Sequence, residues 1–476
     1  MSIEKKVWAL IALYITRVNH WLDARPVIQW RVRVFRLGLF QFGMGLSLAP
    51  ITGTLNRVLI SDLKISAGFV ALLMSIHYFV SPIRTVIGHH SDIKRSNGFW
   101  RTPYIVLGAM LTFGGLSTAP FSLILFDPES MTQGPIVYVI AFVIFLLYGV
   151  GVNIVETTYL ALVSDITEEH ERGKILAILW LMLVIGTVVG SLIVGASLIT
   201  YSTGALISVM QSSAFVFMIC MVLSLIQQEK LRPDGRLVKE IAQTPRQSLK
   251  VSLQTVWNSR SLRSMFFVFF IATLGFGTHD VLLEPYGAEI LKMSVTATTL
   301  LTALWGVAMI VAVVIAGWLL WTKGQSGKLL LSGALVGMAG FLIVASAGFI
   351  DSAFVFQAGV ATIGFGRGLF IVGSIATVMS LADRAHTGLF MGIWGVVQSL
   401  AQGFGTIGGG VARDMLGAAT GNVLWGYVSV YAAASVFLCI MVVFMLVNKI
   451  NKRLTNGEIQ SPWNGLQNIP ADQLVF

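Results

Sequence analysis

Long apolar runs separated by short polar loops dominate the chain. Twelve stand at about 35–60, 67–88, 103–126, 135–163, 174–199, 205–227, 264–284, 297–321, 327–350, 353–381, 388–412 and 423–448. A helix rises about 1.5 Å per residue, so roughly 20 apolar residues cross a hydrocarbon core of about 30 Å. The pattern predicts twelve transmembrane helices. The runs are too long and too uniformly apolar for barrel strands, which alternate in polarity over about ten residues. Ahead of them, Ile3, Val7 and Ile11 fall at helical spacing among Trp8, Trp21, Trp30 and several basic residues. That spacing predicts an interfacial amphipathic helix within 1–34, and Arg17, Asp23 and Arg25 argue against a span there.

A polar, basic linker at 228–263 divides the runs six and six, and 449–476 forms a tail. The units expected are therefore 1–34, 35–227, 228–263, 264–448 and 449–476. The two halves repeat. Gly88 closes the second run and Gly317 the eighth. Asp165 and Gly173 flank the loop after the fourth run, as Asp383 and Gly388 flank the loop after the tenth. Gly186 and Gly190 in the fifth run match Gly405 and Gly409 in the eleventh, both at a separation of 219 (405 − 186 and 409 − 190). A six-helix unit used twice in the same orientation marks a major facilitator architecture. The small residues of runs 5 and 11 allow close helix approach.

Composition agrees: 55% of residues are hydrophobic and 11% charged, against about 25% charged in soluble domains. The net charge of +10 is an orientation signal rather than a nucleic-acid footprint. Of 32 Lys and Arg, 26 fall in the termini, the linker and the loops after even-numbered runs. Only Lys64, Lys292 and Arg413 fall on the opposite side. This bias places both termini and the linker in the cytoplasm. Lys230, Arg232, Arg236, Lys239, Arg246, Lys250, Arg260 and Arg263 make the linker a surface for anionic lipid headgroups, with docking of a partner as the alternative. Cys220 and Cys439 both lie in apolar runs, which argues against a disulfide framework or a thiolate metal site. No cleavable signal peptide is expected at the N-terminus. Phosphate-cradling loops, HExxH sites and nucleophile elbows are absent from the sequence, so no enzyme chemistry is expected.

The candidate chemistry is ionisable residues inside apolar runs. Such groups are costly in a bilayer and usually face a bundle interior or a cavity. The seventh run ends in Gly277-Thr278-His279-Asp280-Val281-Leu282-Leu283-Glu284-Pro285-Tyr286-Gly287. A helix entering near Met265 carries His279 roughly 21 Å in, past the midplane. Asp280 and Glu284, four apart, would share a helix face, and Pro285 and Gly287 would break the helix. The alternative is a helix that ends early, with its carboxylates in interfacial water. Asn153 and Glu156 lie three apart in the fourth run, and Arg57, Arg84 and Arg367 are the available cations. These groups form either ion pairs that fix the bundle or a polar cavity lining.

Two resemblances sharpen the reading. Gly88-x-x-x-Asp92, followed by Lys94, Arg95 and Arg101, resembles the major facilitator signature between helices 2 and 3. That resemblance implies a cytoplasmic gate in which Asp92 pairs with a helix N-terminus and a basic partner. In the second half Trp321 stands at the Asp position. Leu55-Asn56-Arg57-Val58-Leu59-Ile60, Ser81-Pro82-Ile83-Arg84, Arg101-Thr102-Pro103-Tyr104 and Asp280-Val281-Leu282-Leu283-Glu284-Pro285-Tyr286-Gly287 resemble the PucC-like, or bacteriochlorophyll delivery, family. The family includes the light-harvesting assembly factors PucC and LhaA, and the resemblance runs from about 35 to 448. His279 departs from it, since Gln is frequent at that place in the family.

The resemblance implies a protein of a bacterial inner membrane (cytoplasmic, intracytoplasmic or thylakoid) that binds (bacterio)chlorophyll as cargo and hands it to antenna polypeptides. Reaction-centre core proteins, pigment-synthesis proteins and membrane lipids are the other implied partners, and nucleic acid is not. The magnesium of such a pigment takes one axial nitrogen or oxygen, and its ring takes apolar and aromatic walls. His279 and His77 are the candidate axial ligands, and no free metal is expected. The competing readings are a proton-coupled secondary transporter using Glu156, Asp280 or Glu284, and a pigment-free scaffold for antenna subunits.

Overall fold

The computed structural model describes residues 26–93, 99, 101–127, 134–167, 172–226, 228–229, 257–381, 387–456 and 458–459. Regular structure among them is helical. α1 (Pro26–Ala49) continues through two π-helical turns, Pro50–Leu55 and Val58–Asp62. Then come α2 (Ala67–Phe79), α3 (Ile83–Ile93), α4 (Thr102–Thr118), α5 (Pro135–Ile166), α6 (Arg172–Ser197) and α7 (Thr203–Leu225). The second half holds α8 (Arg260–Gly277), α9 (Leu283–Glu289), α10 (Val295–Lys323), α11 (Ser326–Ile350), α12 (Ala353–Leu381), α13 (Thr387–Thr420) and α14 (Val423–Val447), with a short α15 (Ile450–Thr455).

Each apolar run is met by one helix or by up to three helical elements in line. Ten of the described helices are long and apolar enough to cross a membrane, and the chain is a multi-pass membrane protein. The second run is split into α2 and α3, while α13 is long but diluted by glycine, Gln398 and Gln402. α1 starts at Pro26, inside the stretch assigned to the interfacial segment, with proline in the first turn, where its missing N–H costs nothing. The expected surface helix upstream of Pro26, most of the linker and the end of the tail lie outside the described residues.

Proline placement explains both split runs. Pro82 sits in the turn Val80–Pro82, where a continuing helix would clash with its ring. In the seventh run the break is upstream of the expected place. α8 ends at Gly277, residues 278–282 form a turn, and Pro285 lies in the first turn of α9, where proline is tolerated. Asp280 therefore lies within the break and Glu284 on the helix after it, rather than both on one continuous helix face.

Within the first half, α1 packs against α6 and α7, and α4 against α5 and α7; within the second, α8 packs against α13 and α14, and α11 against α12 and α14. The halves meet along two seams, α2 with α13 and α6 with α10. The repeated glycines have the same task in each half. A Cβ on Gly186 would collide with the Phe42 carbonyl of α1, and one on Gly409 with the Thr278 carbonyl below α8. Backbone meets backbone at both places, which larger residues would prevent. Two halves of like packing joined along these seams are the layout expected of a major facilitator fold.

Candidate functional site

Between the halves lies a partly open cavity of about 280 Å³, bounded by α1 and the π-helical turn after it, α2, α6, the α8–α9 turn, α9, α10, α12 and α13. Its wall is mainly apolar, with Tyr78, Trp180 and Trp305 as aromatic faces. His77, His279, Asp280, Glu284 and Arg367 are its ionisable members. The charge bias defines the outer end as the side of Lys64, Lys292 and Arg413.

The break after α8 builds the second-half cluster. Ending the helix at Gly277 frees carbonyls, which in a membrane must find partners in protein or in a wet cavity. Arg367 Nη1 donates to the Phe276 carbonyl at 3.3 Å and to Asp280 Oδ1 at 3.1 Å. Its Nη2 donates to Gln402 Oε1 at 3.0 Å, and Gln402 Nε2 donates to Asp280 Oδ2. The guanidinium also lies 5.6 Å from the Trp305 ring centroid, within cation–π range. Thr406 Oγ1 donates to the Gly277 carbonyl at 3.3 Å. The result is a closed triad, Asp280–Arg367–Gln402, joining the broken helix to α12 and α13.

The first half has a matching knot. Arg84 of α3 donates through Nε to Asn153 Oδ1 at 2.5 Å and pairs through Nη2 with Glu156 Oε2 at 2.8 Å. Asn153 Nδ2 donates to the carbonyls of His77 at 2.8 Å and Gly149 at 2.7 Å. This knot secures the turn around Pro82 as the triad secures the turn after Gly277.

The remaining residues disperse. Arg57 pairs locally with Asp62 at 3.0 Å and does not join either cluster. Glu284 is 2% exposed, and its Oε1 accepts from Thr302 at 2.9 Å. Its carboxylate lies against Gly53, where a Cβ would collide with it. His279 is also 2% exposed, with Phe341 and Tyr431 at 5.2 and 6.4 Å between centroids. His77 is only part-buried; its Nδ1 lies 2.9 Å from the Met74 carbonyl and its ring 3.8 Å from Tyr78. No trio of His, Cys, Asp or Glu able to hold a metal ion occurs among the described residues.

Of the gate residues, Gly88 and Asp92 fall on α3 and Arg95 lies outside the described residues, as does the expected pairing of Asp92. Arg101 donates to Asp165 at 3.0 Å and to Ser91 at 2.6 Å. The N-terminus of α4 is capped by Glu229, which accepts from the backbone N–H groups of Arg101 and Thr102, each at 2.9 Å.

An outer closure went unseen in the sequence. Asp414 at the outer end of α13 accepts from Ser66 Oγ at 2.7 Å and from the Gly68 N–H at 2.9 Å. Glu289 pairs with Lys64 at 3.1 Å and with Arg413, and accepts from Tyr427 at 2.7 Å. Thr54 and Thr299 meet at 2.9 Å across the same interface. The outer ends of the two halves are tied together.

The sequence profile of the PUCC protein family matches residues 54–454. "Protein PucC" of Rhodovulum sulfidophilum is 35% identical over 387 residues, covering 80% of this chain and 85% of that protein. The "Bacteriochlorophyll synthase 44.5 kDa chain" of Rhodobacter capsulatus is 28% identical over 391 residues, covering 81% and 88%. Among solved structures, a D-xylose-proton symporter superposes with a TM-score of 0.63 at 15% identity, covering 85% of this chain and 96% of that one.

Proposed function

The chain belongs to the PUCC protein family, and from that membership we propose that it binds (bacterio)chlorophyll and hands it, chemically unchanged, to light-harvesting antenna polypeptides. Its site of action is then the photosynthetic inner membrane. Family membership over most of the chain carries the reading. The cavity supports it: an apolar chamber walled by Tyr78, Trp180 and Trp305 at the junction of the halves suits a flat aromatic ring. At about 280 Å³ it falls just below the usual range of ligand sites, roughly 300–1,000 Å³. A pigment with a long hydrocarbon tail is not swallowed whole, and the tail stays in lipid.

The test is an absorption spectrum of the full chain purified from a pigment-producing host, paired with antenna yield in cells lacking it. Stoichiometric pigment and a fall in antenna yield are expected. Protein that is colourless at every stage of purification would overturn the reading. Glu284, buried with Thr302 as its hydrogen-bonding partner, supports a second reading, proton-linked transport. Proton-dependent solute uptake into vesicles would favour it.

A further inference from the structure

We propose that His77, through Nε2, supplies the axial ligand to the magnesium of a tetrapyrrole cargo in the central cavity; this rests on the pigment reading above. The argument starts from one hydrogen bond. His77 Nδ1 lies 2.9 Å from the Met74 carbonyl oxygen. A carbonyl can only accept, so Nδ1 carries the proton and the neutral ring presents Nε2 as a bare lone pair. Metal-ligating histidines are held in this way, with the second ring nitrogen donating to a carbonyl or carboxylate that fixes tautomer and orientation. Magnesium prefers hard oxygen donors. In a tetrapyrrole the ring nitrogens already hold it, and one axial position takes an imidazole.

Placement agrees with the chemistry. His77 is ten residues into α2, about 15 Å below its outer start and therefore near mid-bilayer. It lines the cavity and is partly exposed. Its backbone carbonyl is pinned by Asn153 Nδ2 at 2.8 Å. The ligand is thus set on a fixed turn rather than on a mobile loop. His279 reaches the same cavity with a ring only 2% exposed, against Phe341 and Tyr431. A metal could reach that ring only by repacking those aromatics.

The experiment compares two probes, bacteriochlorophyll a and its metal-free counterpart bacteriopheophytin a, each titrated into the full chain in detergent. Wild type should prefer the magnesium pigment by about tenfold or more. His77→Leu should bind both alike, at the metal-free level, whereas His279→Leu should retain the preference. His77→Gly is the second variant. Added imidazole should restore its preference, which no packing role of His77 would produce. An unchanged preference in His77→Leu, or failure of imidazole to restore it, overturns the assignment while leaving the pigment reading intact. Equal wild-type binding of both probes does the same. Binding of neither probe to wild type overturns both.

Discussion

Asp414 of α13 accepts the backbone N–H of Gly68 at 2.9 Å, so a carboxylate of the second half caps the first turn of a helix in the first half. Ser66, the N-cap of α2, donates to the same oxygen at 2.7 Å. Negative charge at a helix N-terminus is stabilising, and the N–H groups there lack intrahelical partners. One residue thus couples helix stability to closure of the outer end.

Asp414→Ala removes the cap and its charge, each worth about 1 kcal/mol. We expect the outer end to open, with population of the open form rising roughly thirtyfold. A cysteine at Thr52, on the cavity wall in the π-helical turn after α1, reports this by labelling from outside, with the exposed Cys439 first changed to Ser. Unchanged labelling in folded protein counts against the latch.

Breaking the Asp280–Arg367 pair on one side should be worse than removing it altogether. Arg367→Met strands a carboxylate, which costs roughly 3–5 kcal/mol for a buried pair. The 28% exposure of the Asp280 side chain favours the low end. Arg367→Met with Asp280→Leu should recover much of the loss. Thermal unfolding of the purified variants decides it: equal melting temperatures for the single and double variants would contradict the expectation.

Gly53 and Glu284 should be energetically coupled. A methyl at position 53 collides with the Glu284 carboxylate, and overpacking of this kind costs about 1–3 kcal/mol. Gly53→Ala should therefore destabilise the protein, and Glu284→Ala should relieve part of that loss. A double-mutant cycle on unfolding temperature measures the coupling, and strict additivity would show the two do not touch.

Orientation is testable by reporter fusions. The charge bias puts a fusion at Gly235 and one after Phe476 in the cytoplasm. An external signal at either point overturns that assignment.

The fold is legible because its information is local. Apolar runs of membrane length and glycines repeated at a fixed interval are visible along the chain, and Gly186 and Gly409 act at matching helix contacts. The helix break in the seventh run is misplaced by sequence reasoning because proline is weighed as a breaker without regard to its position in a turn. Asp280 and Arg367 are visible as charges in apolar runs; their meeting is not, since 87 residues separate them. Gln402 carries weaker signals still, although Gln398, Gln402 and Thr406 form a stripe of polar residues at four-residue spacing. The outer closure has no local signature: Ser66 and Asp414 are 348 residues apart, and Lys64 and Arg413 register only as orientation charges. The contact of His77 Nδ1 with the Met74 carbonyl depends on the side-chain rotamer, which residue spacing does not give.

The glycine contacts between α1 and α6, and between α8 and α13, also draw a map of doors and walls. Where Gly45, Gly186, Gly405 and Gly409 press backbone to backbone, nothing the width of a ring passes between those helices. The outer half of the α2–α13 seam is shut in the same way by Gly410 on the Ala67 carbonyl. The α6–α10 seam instead closes through side chains, Gly306 against Val188 and Gly195 against Leu300, and side chains can swing aside. Trp180, on the cavity wall yet 39% exposed, stands at the inner part of that seam. That seam can therefore part by side-chain movement alone, whereas the glycine contacts of the other helices part only if backbone shifts.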